Sequence, residues 1–342
     1  MSTNHKILNP ILLLSITGIY GVSVMIVSHV LPEPTHERLL FNECSWEELS
    51  KVCEELETHK ISPKTFYNSF KVYDLSSDEP TDTIDAKSAK DFIGQPRYLT
   101  INGFEHEVIV LGCLQDYLSY NQSTGKFSNP VGFTFQFNNL ISQAEWGWEY
   151  TILFSNHTKY WESNLENALN SIDDDVTWSN SGDKRSVYTM IQQENAGCAI
   201  RDVYRSIYVK PSSSWQIDTQ KTKLFEPVAA NLFSASGLNK TFSFTQERTN
   251  FFLKEGKQYD YYSLPTNIGD EPAWNNGYIW NYYDCLVRLN CSVEGQYSNF
   301  YWLSTPAAFW DGYPWVVSEA GGVQINTETG SGGIALAPCF CI

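Results

Sequence analysis

The residues best able to meet a ligand are aromatic and short polar side chains rather than titratable ones. Trp302, Phe309, Trp310, Tyr313 and Trp315 fall within fourteen residues, with Asp311, Glu319, Asn326 and Glu328 close by. Aromatic faces stack on sugar rings or bases, while amides and carboxylates fix hydroxyl groups. Trp310 and Tyr313 flank Asp311-Gly312, a turn signal that puts both rings at a loop tip. Trp302 sits in a strand-like Trp-x-Leu and is assigned to the core; Trp315 is read both ways, as core and as part of the binding set. A second run, Trp274, Tyr278, Trp280, Tyr282 and Tyr283, surrounds Asn275-Asn276-Gly277 and can line the same surface. The candidate ligand-binding residues are therefore Trp310, Asp311, Tyr313, Trp315, Asn326, Trp280 and Tyr282.

Catalysis needs a nucleophile, an acid–base pair or a metal in convergent positions. The six histidines are His5, His29, His36, His59, His106 and His157; half lie in or near the N-terminal segment and none in the C-terminal third. Among eight cysteines the close pairs are Cys285/Cys291 and Cys339/Cys341, whose spacings are foreign to zinc knuckles. In an oxidising compartment Cys285 or Cys291 would bridge to Cys339 or Cys341, whereas Cys53 and Cys113 read as small buried hydrophobes. Asp173-Asp174-Asp175 lacks the Gly and the distal Glu of an EF-hand loop. Glu271-Pro272 is followed by Ala273, which has no side-chain carbonyl for a calcium-dependent sugar site. No catalytic residue, no cofactor and no metal is expected.

The 342 residues are 42% hydrophobic and only 18% charged, with 23 basic against 39 acidic side chains and a net charge of −16. Phosphate recognition depends on clustered Lys and Arg, so this balance excludes nucleic acid as a partner. Aromatics at 15%, with 11 Trp, exceed what a core of this size takes up, which leaves rings for a recognition surface. A protein or glycan ligand fits that chemistry, and oligomerisation is compatible with it.

The elements that must carry these residues begin with an uncharged stretch from Ile7 to Leu31, long enough to span a bilayer as a helix. Lys6 before it and Glu33 and Glu37 after it give the charge bias of a signal-anchor facing outward. The competing reading is a pair of buried strands, Ile11 to Thr17 and Val22 to Val30, turning between Gly18 and Gly21. After Pro32 and Pro34, Ser45-Trp46-Glu47-Glu48 forms a capping box that starts an amphipathic helix to about Glu57. Ser76 to Lys90 reads as a polar connector. Tyr98–Ile101 and Glu107–Leu111 pair around Asn102-Gly103 as a hairpin. Val131 to Phe137 alternates as a half-buried strand, Trp161 to Ile172 reads as a helix, and Ile207 to Phe225 as irregular strand and loop. The organisation is residues 1–34 as anchor or docked strand pair, 35–94 as helical connector, and 95–342 as one domain.

The order of these elements resembles an uncharacterised family of bacterial and phage surface proteins. Val108-Ile-Val-Leu-Gly and Gly132-Phe-Thr-Phe-Gln-Phe resemble its opening strands, and Trp161-Glu-Ser-Asn-Leu-Glu-Asn-Ala-Leu-Asn its helix, with Asn167 near the family's Arg. Tyr208-Val-Lys-Pro, Lys223-Leu-Phe, Tyr301-Trp-Leu-Ser-Thr-Pro and the ending Gly333-Ile-Ala-Leu-Ala-Pro-Cys-Phe-Cys-Ile complete the series. Ser304 stands where the family has Arg, and Ala335 or Leu336 near the Arg of its ending. The resemblance spans residues 95 to 342. It implies an α+β, C-type-lectin-like domain with short twisted antiparallel strands, two or three helices and long loops, related to formylglycine-generating enzymes. It also implies display at a cell surface or in a virion. The expected function is non-catalytic ligand binding or adhesion at a cell surface; the rivals are a phage or virus-like structural protein and a copper-dependent oxidase.

Overall fold

The Phe-Thr-Phe-Gln-Phe run lies in the middle of a five-stranded sheet, and both faces of that strand are buried. In the computed structural model the described residues are 14–17, 23–26, 38–77, 79, 81–141, 157–172, 185–210, 214–242, 246–264, 273–275, 278–280, 286, 289–290, 300–307, 313–318, 323–325 and 334–342. The sheet is built from β1 (Pro96–Ile101), β2 (Phe104–Cys113), β5 (Phe133–Phe137), β8 (Leu224–Phe225) and β13 (Cys339–Cys341). Two hairpins stand apart from it: β3 (Tyr117–Asn121) with β4 (Lys126–Pro130), and β6 (Val203–Val209) with β7 (Gln216–Thr222). The order across the sheet is β8-β13-β5-β2-β1, antiparallel throughout.

Alternating side chains send residues of one strand to opposite faces. Val108, Val110, Phe133, Phe135, Phe137 and Phe340 face a first core. Ile109, Leu111, Phe225, Cys339 and Cys341 face a second. The first core is covered by α1 (Trp46–Glu57), α2 (Pro63–Asn68), α3 (Asn164–Asn170) and α4 (Val187–Glu194). The second is covered by α5 (Ala229–Leu232), α6 (Ala235–Phe242), α7 (Gln246–Phe252) and α8 (Asp260–Ser263). A four-stranded sheet completes the unit, with β9 (Phe300–Ala307), β10 (Tyr313–Val317), β11 (Val323–Ile325) and β12 (Ile334–Ala335) in the order β11-β10-β9-β12. Trp302 and Val316 reach the first core, while Tyr301, Leu303, Trp315 and Val317 reach the second. The protein is thus α+β, with more helices than the two or three expected: eight α-helical segments occur among the described residues.

Several local readings meet their physical causes here. The Ser45 side chain accepts from the Glu48 N–H and the Glu48 carboxylate from the Ser45 N–H, so the capping box holds and α1 runs to Glu57. The β1–β2 hairpin turns on Asn102 and Gly103, both left-handed at φ 50° and 79°, as a two-residue turn of that type requires. Of the stretch 35–94 read as a connector, residues 38–94 belong to the main unit. Phe41, Phe66 and Phe92 pack on Phe133 with ring centroids 4.9, 5.0 and 5.0 Å apart, and residues 38–342 form one compact unit. The polar stretch 76–90 contains a short strand, Thr83–Asp85, and the start of a 3-10 turn, Ala89–Phe92. The helix read from Trp161 begins later: a 3-10 turn, His157–Glu162, leads into Ser163, whose hydroxyl caps α3. Ile207 to Phe225, read as irregular, holds most of the regular β6–β7 hairpin.

Both edges of the main sheet end on an asparagine. Asn195, just past α4, accepts from the Thr100 N–H at 2.8 Å and donates to the Thr100 carbonyl at 2.7 Å on β1. Asn170, closing α3, accepts from the Leu224 N–H at 2.8 Å and donates to its carbonyl at 2.8 Å on β8. Each side-chain amide stands in for one residue of a neighbouring strand, so the exposed ladder groups of an edge are taken up.

Residues Met1–Glu37 form a separate unit. In it Leu14–Thr17 and Ser23–Ile26 pair antiparallel, Leu14 opposite Ile26 and Thr17 opposite Ser23. Strands therefore occupy positions that a spanning helix would have taken. No helix among the described residues is long and apolar enough to cross a membrane.

Candidate functional site

Of the seven residues expected to bind ligand, Trp315 is the one whose side chain is described, and it is a correction. It is 4% exposed and packs in the second core. The reason is topological: β10 is flanked by β9 and β11, and residues 315–318 are all buried. Trp302, assigned to the core, is fully buried. The backbones of Tyr313 and Trp280 are strand residues, paired with Ala307 and Ala273, and their side chains lie outside the described set. Trp310, Asp311, Tyr282 and Asn326 lie outside the described residues altogether. The register Ala307↔Tyr313 makes residues 308–312 the connection at the end of the β9–β10 hairpin.

The described residues do bring together a polar cluster that sequence reasoning missed. On the second face of the main sheet, Arg205 of β6 donates through one terminal nitrogen to Asp116 and, at 2.9 Å, to the Tyr259 hydroxyl. Its other terminal nitrogen donates to Asn231 Oδ1. Asp116 Oδ2 accepts from Tyr259 at 2.8 Å and from Thr134 Oγ1 at 2.6 Å. The guanidinium also lies 4.1 Å from the Phe225 ring centroid. Gln136, two residues along β5, donates to the Ala337 carbonyl at 2.9 Å and accepts from the Tyr262 hydroxyl. A buried ion pair is tolerated only when its remaining lone pairs and protons are met, and here both Asp116 oxygens are. An acid–base pair at work on a substrate needs an open position, so this cluster reads as a clasp joining β5, β6 and the 228–231 and 257–259 segments.

The signal for the cluster was in Phe-Thr-Phe-Gln-Phe. Its alternation reads as one apolar face and one wet face, yet Thr134 and Gln136 are fully buried. Polar residues enter an interior when hydrogen bonds meet them, and period alone cannot tell that interior from water.

Three more carboxyls are enclosed nearby. Burial pushes Glu255 up to about 8 and Glu166 up to about 7, and it holds Glu226 well above the ordinary carboxylate range. His106, also enclosed, is pushed down to about 4 by burial, so it is neutral at pH 7. Cys44, Cys53, Cys113, Cys198 and Cys341 are free thiols. Cys341 sits 3.5 Å from Thr134 Oγ1, and Cys285 and Cys291, the partners foreseen for the last two cysteines, lie outside the described residues. Burial raises the thiols of Cys53, Cys113 and Cys341 well above their usual value, as expected for packing residues rather than nucleophiles. Among the described residues no three His, Cys, Asp or Glu gather as metal ligands would.

No family model matches the chain, and no curated protein or solved structure is similar to it.

Proposed function

We propose that the chain is a surface-displayed, non-catalytic binding protein, with a C-type-lectin-like domain that takes a protein or glycan through the connection between β9 and β10. The observation that carries this reading is the division of aromatic residues along that hairpin. Trp302 and Trp315 are consumed by the core, whereas Trp310 and Asp311 fall on the five residues that join the strands. Recognition residues are commonly carried on connections between strands whose own side chains are buried, as Trp302 and Trp315 are here. The insertion of β13 between β5 and β8, which brings the last strand back to early ones, supports the lectin-like reading. Residues 1–34 would supply attachment to the surface.

The test is binding of the full chain to glycan and extracellular-protein arrays, repeated with the double variant Trp310→Ala, Tyr313→Ala. Loss of a specific signal with an unchanged urea midpoint is expected. Retention of that signal in the double variant would remove the proposed surface. The second reading, a virion component, is favoured by the antiparallel pair Leu14–Thr17 and Ser23–Ile26, which suits docking of strands into a particle. Solubility of the full chain without detergent would favour that reading over a membrane anchor. Copper-dependent oxidation of a cysteine peptide is the assay for the oxidase alternative, and none is expected.

A further inference from the structure

Three glutamates bury their carboxyls along the seam where β9 meets the segments following β8 and α7. Glu226 is fully buried: Oε1 accepts from the Ala337 N–H at 3.2 Å, and Oε2 has no hydrogen-bond partner. Glu255 is 3% exposed and accepts from the Tyr208 N–H at 3.0 Å and the Thr305 hydroxyl at 2.9 Å. Glu166 Oε1 accepts from Asn170 at 3.0 Å and lies 3.1 Å from the Thr222 hydroxyl, and the Tyr160 hydroxyl also bonds its carboxyl. Two consecutive residues of β9 tie that strand into the seam. Ser304 Oγ donates to the Glu226 carbonyl at 2.5 Å. Thr305 Oγ1 accepts from the Ala229 N–H at 2.7 Å while donating to Glu255.

Among the described residues, no cation is bonded to these carboxyls. Among the described residues, the titratable or charged groups facing Glu166 and Glu226 reduce to Tyr160, itself buried. Those facing Glu255 are Tyr208 and, more remotely, Arg205, which Asp116 already engages. An ionised carboxylate without a cation or a full set of donors is not tolerated in a dry interior.

We propose that the seam is a proton-dependent latch: β9 stays seated while the glutamates are neutral and is released as they ionise. Each group's folded value lies above its ordinary 4.5, so the closed form binds more protons than the open one. The stabilisation is therefore complete at acid pH. It is lost as pH rises toward about 7 for Glu166 and about 8 for Glu255, and burial of Glu226 acts in the same direction. Each glutamate still protonated only in the closed form makes opening about tenfold easier per pH unit. Between about pH 7 and 8, Glu255 gives up to about tenfold per unit, and Glu226 adds to it in the same direction.

Amide exchange read by mass spectrometry on the full chain tests this, with rates corrected for intrinsic exchange and followed from pH 6.5 to 8.5. Peptides covering 300–307 should lose protection by about tenfold or more per unit between about pH 6.5 and 8, while the β1–β2 hairpin, 96–113, keeps its own. Glu255→Gln should remove about tenfold per unit of that slope and Glu226→Gln should flatten it in the same direction, since an amide cannot ionise. A flat profile in the wild-type chain overturns the latch even if neither variant folds. So does a parallel loss in the 96–113 hairpin, which would mean global unfolding. A slope abolished by added calcium or magnesium chloride would also overturn it, because a cation rather than protons would then neutralise the seam.

Discussion

Removing the asparagine at each edge of the main sheet should cost unequal amounts, and burial sets which costs more. In Asn170→Ala the N–H of the fully buried Leu224 loses its acceptor. The Leu224 carbonyl keeps the Thr222 hydroxyl at 2.8 Å, so a donor is orphaned and an acceptor is not. An orphaned buried donor costs about 1–3 kcal/mol, and the bonds lost to Glu166 and Thr222 bring the total to about 2–4 kcal/mol. In Asn195→Ala, Thr100 is only half-buried, and water can replace the lost partner, for a cost of about 1 kcal/mol. Asn170→Asp should be worse than Ala at pH 7, because it sets a carboxylate oxygen against the Leu224 carbonyl and beside Glu166. Urea unfolding measures all three as shifts in midpoint at constant slope. Equal losses at the two edges, or a loss below about 0.5 kcal/mol for Asn170→Ala, would refute the view that these amides complete the ladder.

Three further outcomes are expected. Asp116→Ala leaves the Arg205 guanidinium buried with Tyr259 and Asn231 but no counter-charge, and should lower stability by about 3–5 kcal/mol in a urea titration. Trp315→Ala should cost about 3–5 kcal/mol as a core truncation, against less than about 0.5 for Trp310→Ala if that ring is free to meet a ligand; calorimetry separates the two. Gly132→Ala would set a Cβ 2.6 Å from Cys53 Sγ and 3.1 Å from the Ile342 carbonyl, which should cost about 1–3 kcal/mol. Combining it with Cys53→Ala should cost less than the two single changes added together, as a double-mutant cycle would reveal.

Local chemistry was legible in the sequence and shared interiors were not. Ser45 with Glu48 and Asn102 with Gly103 each settle their own few residues through a cap or a left-handed turn, and both stand as read. Cys53 and Cys113 were also legible, because their apolar neighbours marked them as packing residues. Thr134 and Gln136 were read as solvent-facing because their partners Asp116, Ala337 and Tyr262 come from distant segments. The β6–β7 hairpin was hidden for a related reason. Its polar strand, Gln216–Thr222, alternates no apolar face and gains its order from seven-residue pairing with β6. Trp315 was ambiguous because a single tryptophan carries no mark of which strand will flank it. The carboxyl of Glu226, set inside Leu-Phe-Glu-Pro-Val, was the one overlooked signal, since a lone acid in an apolar run has to be buried or exposed at a cost.

The position of β13 also bears on how the protein is made. Thr134 and Cys341 are neighbours across β5 and β13 yet 207 residues apart in sequence, and β8 joins the sheet through β13 alone. While the ribosome is still synthesising residues 143–338, β5 has one side unpaired and the Phe133-to-Phe137 face has no Phe340 to pack against. Synthesis order and assembly order are therefore opposed: β1, β2 and β5 emerge long before the strand that completes their sheet. A nascent chain with an open, phenylalanine-rich strand is a substrate for chaperones and for aggregation. The yield of folded protein should depend more on what holds that strand during translation than on the stability of the finished sheet.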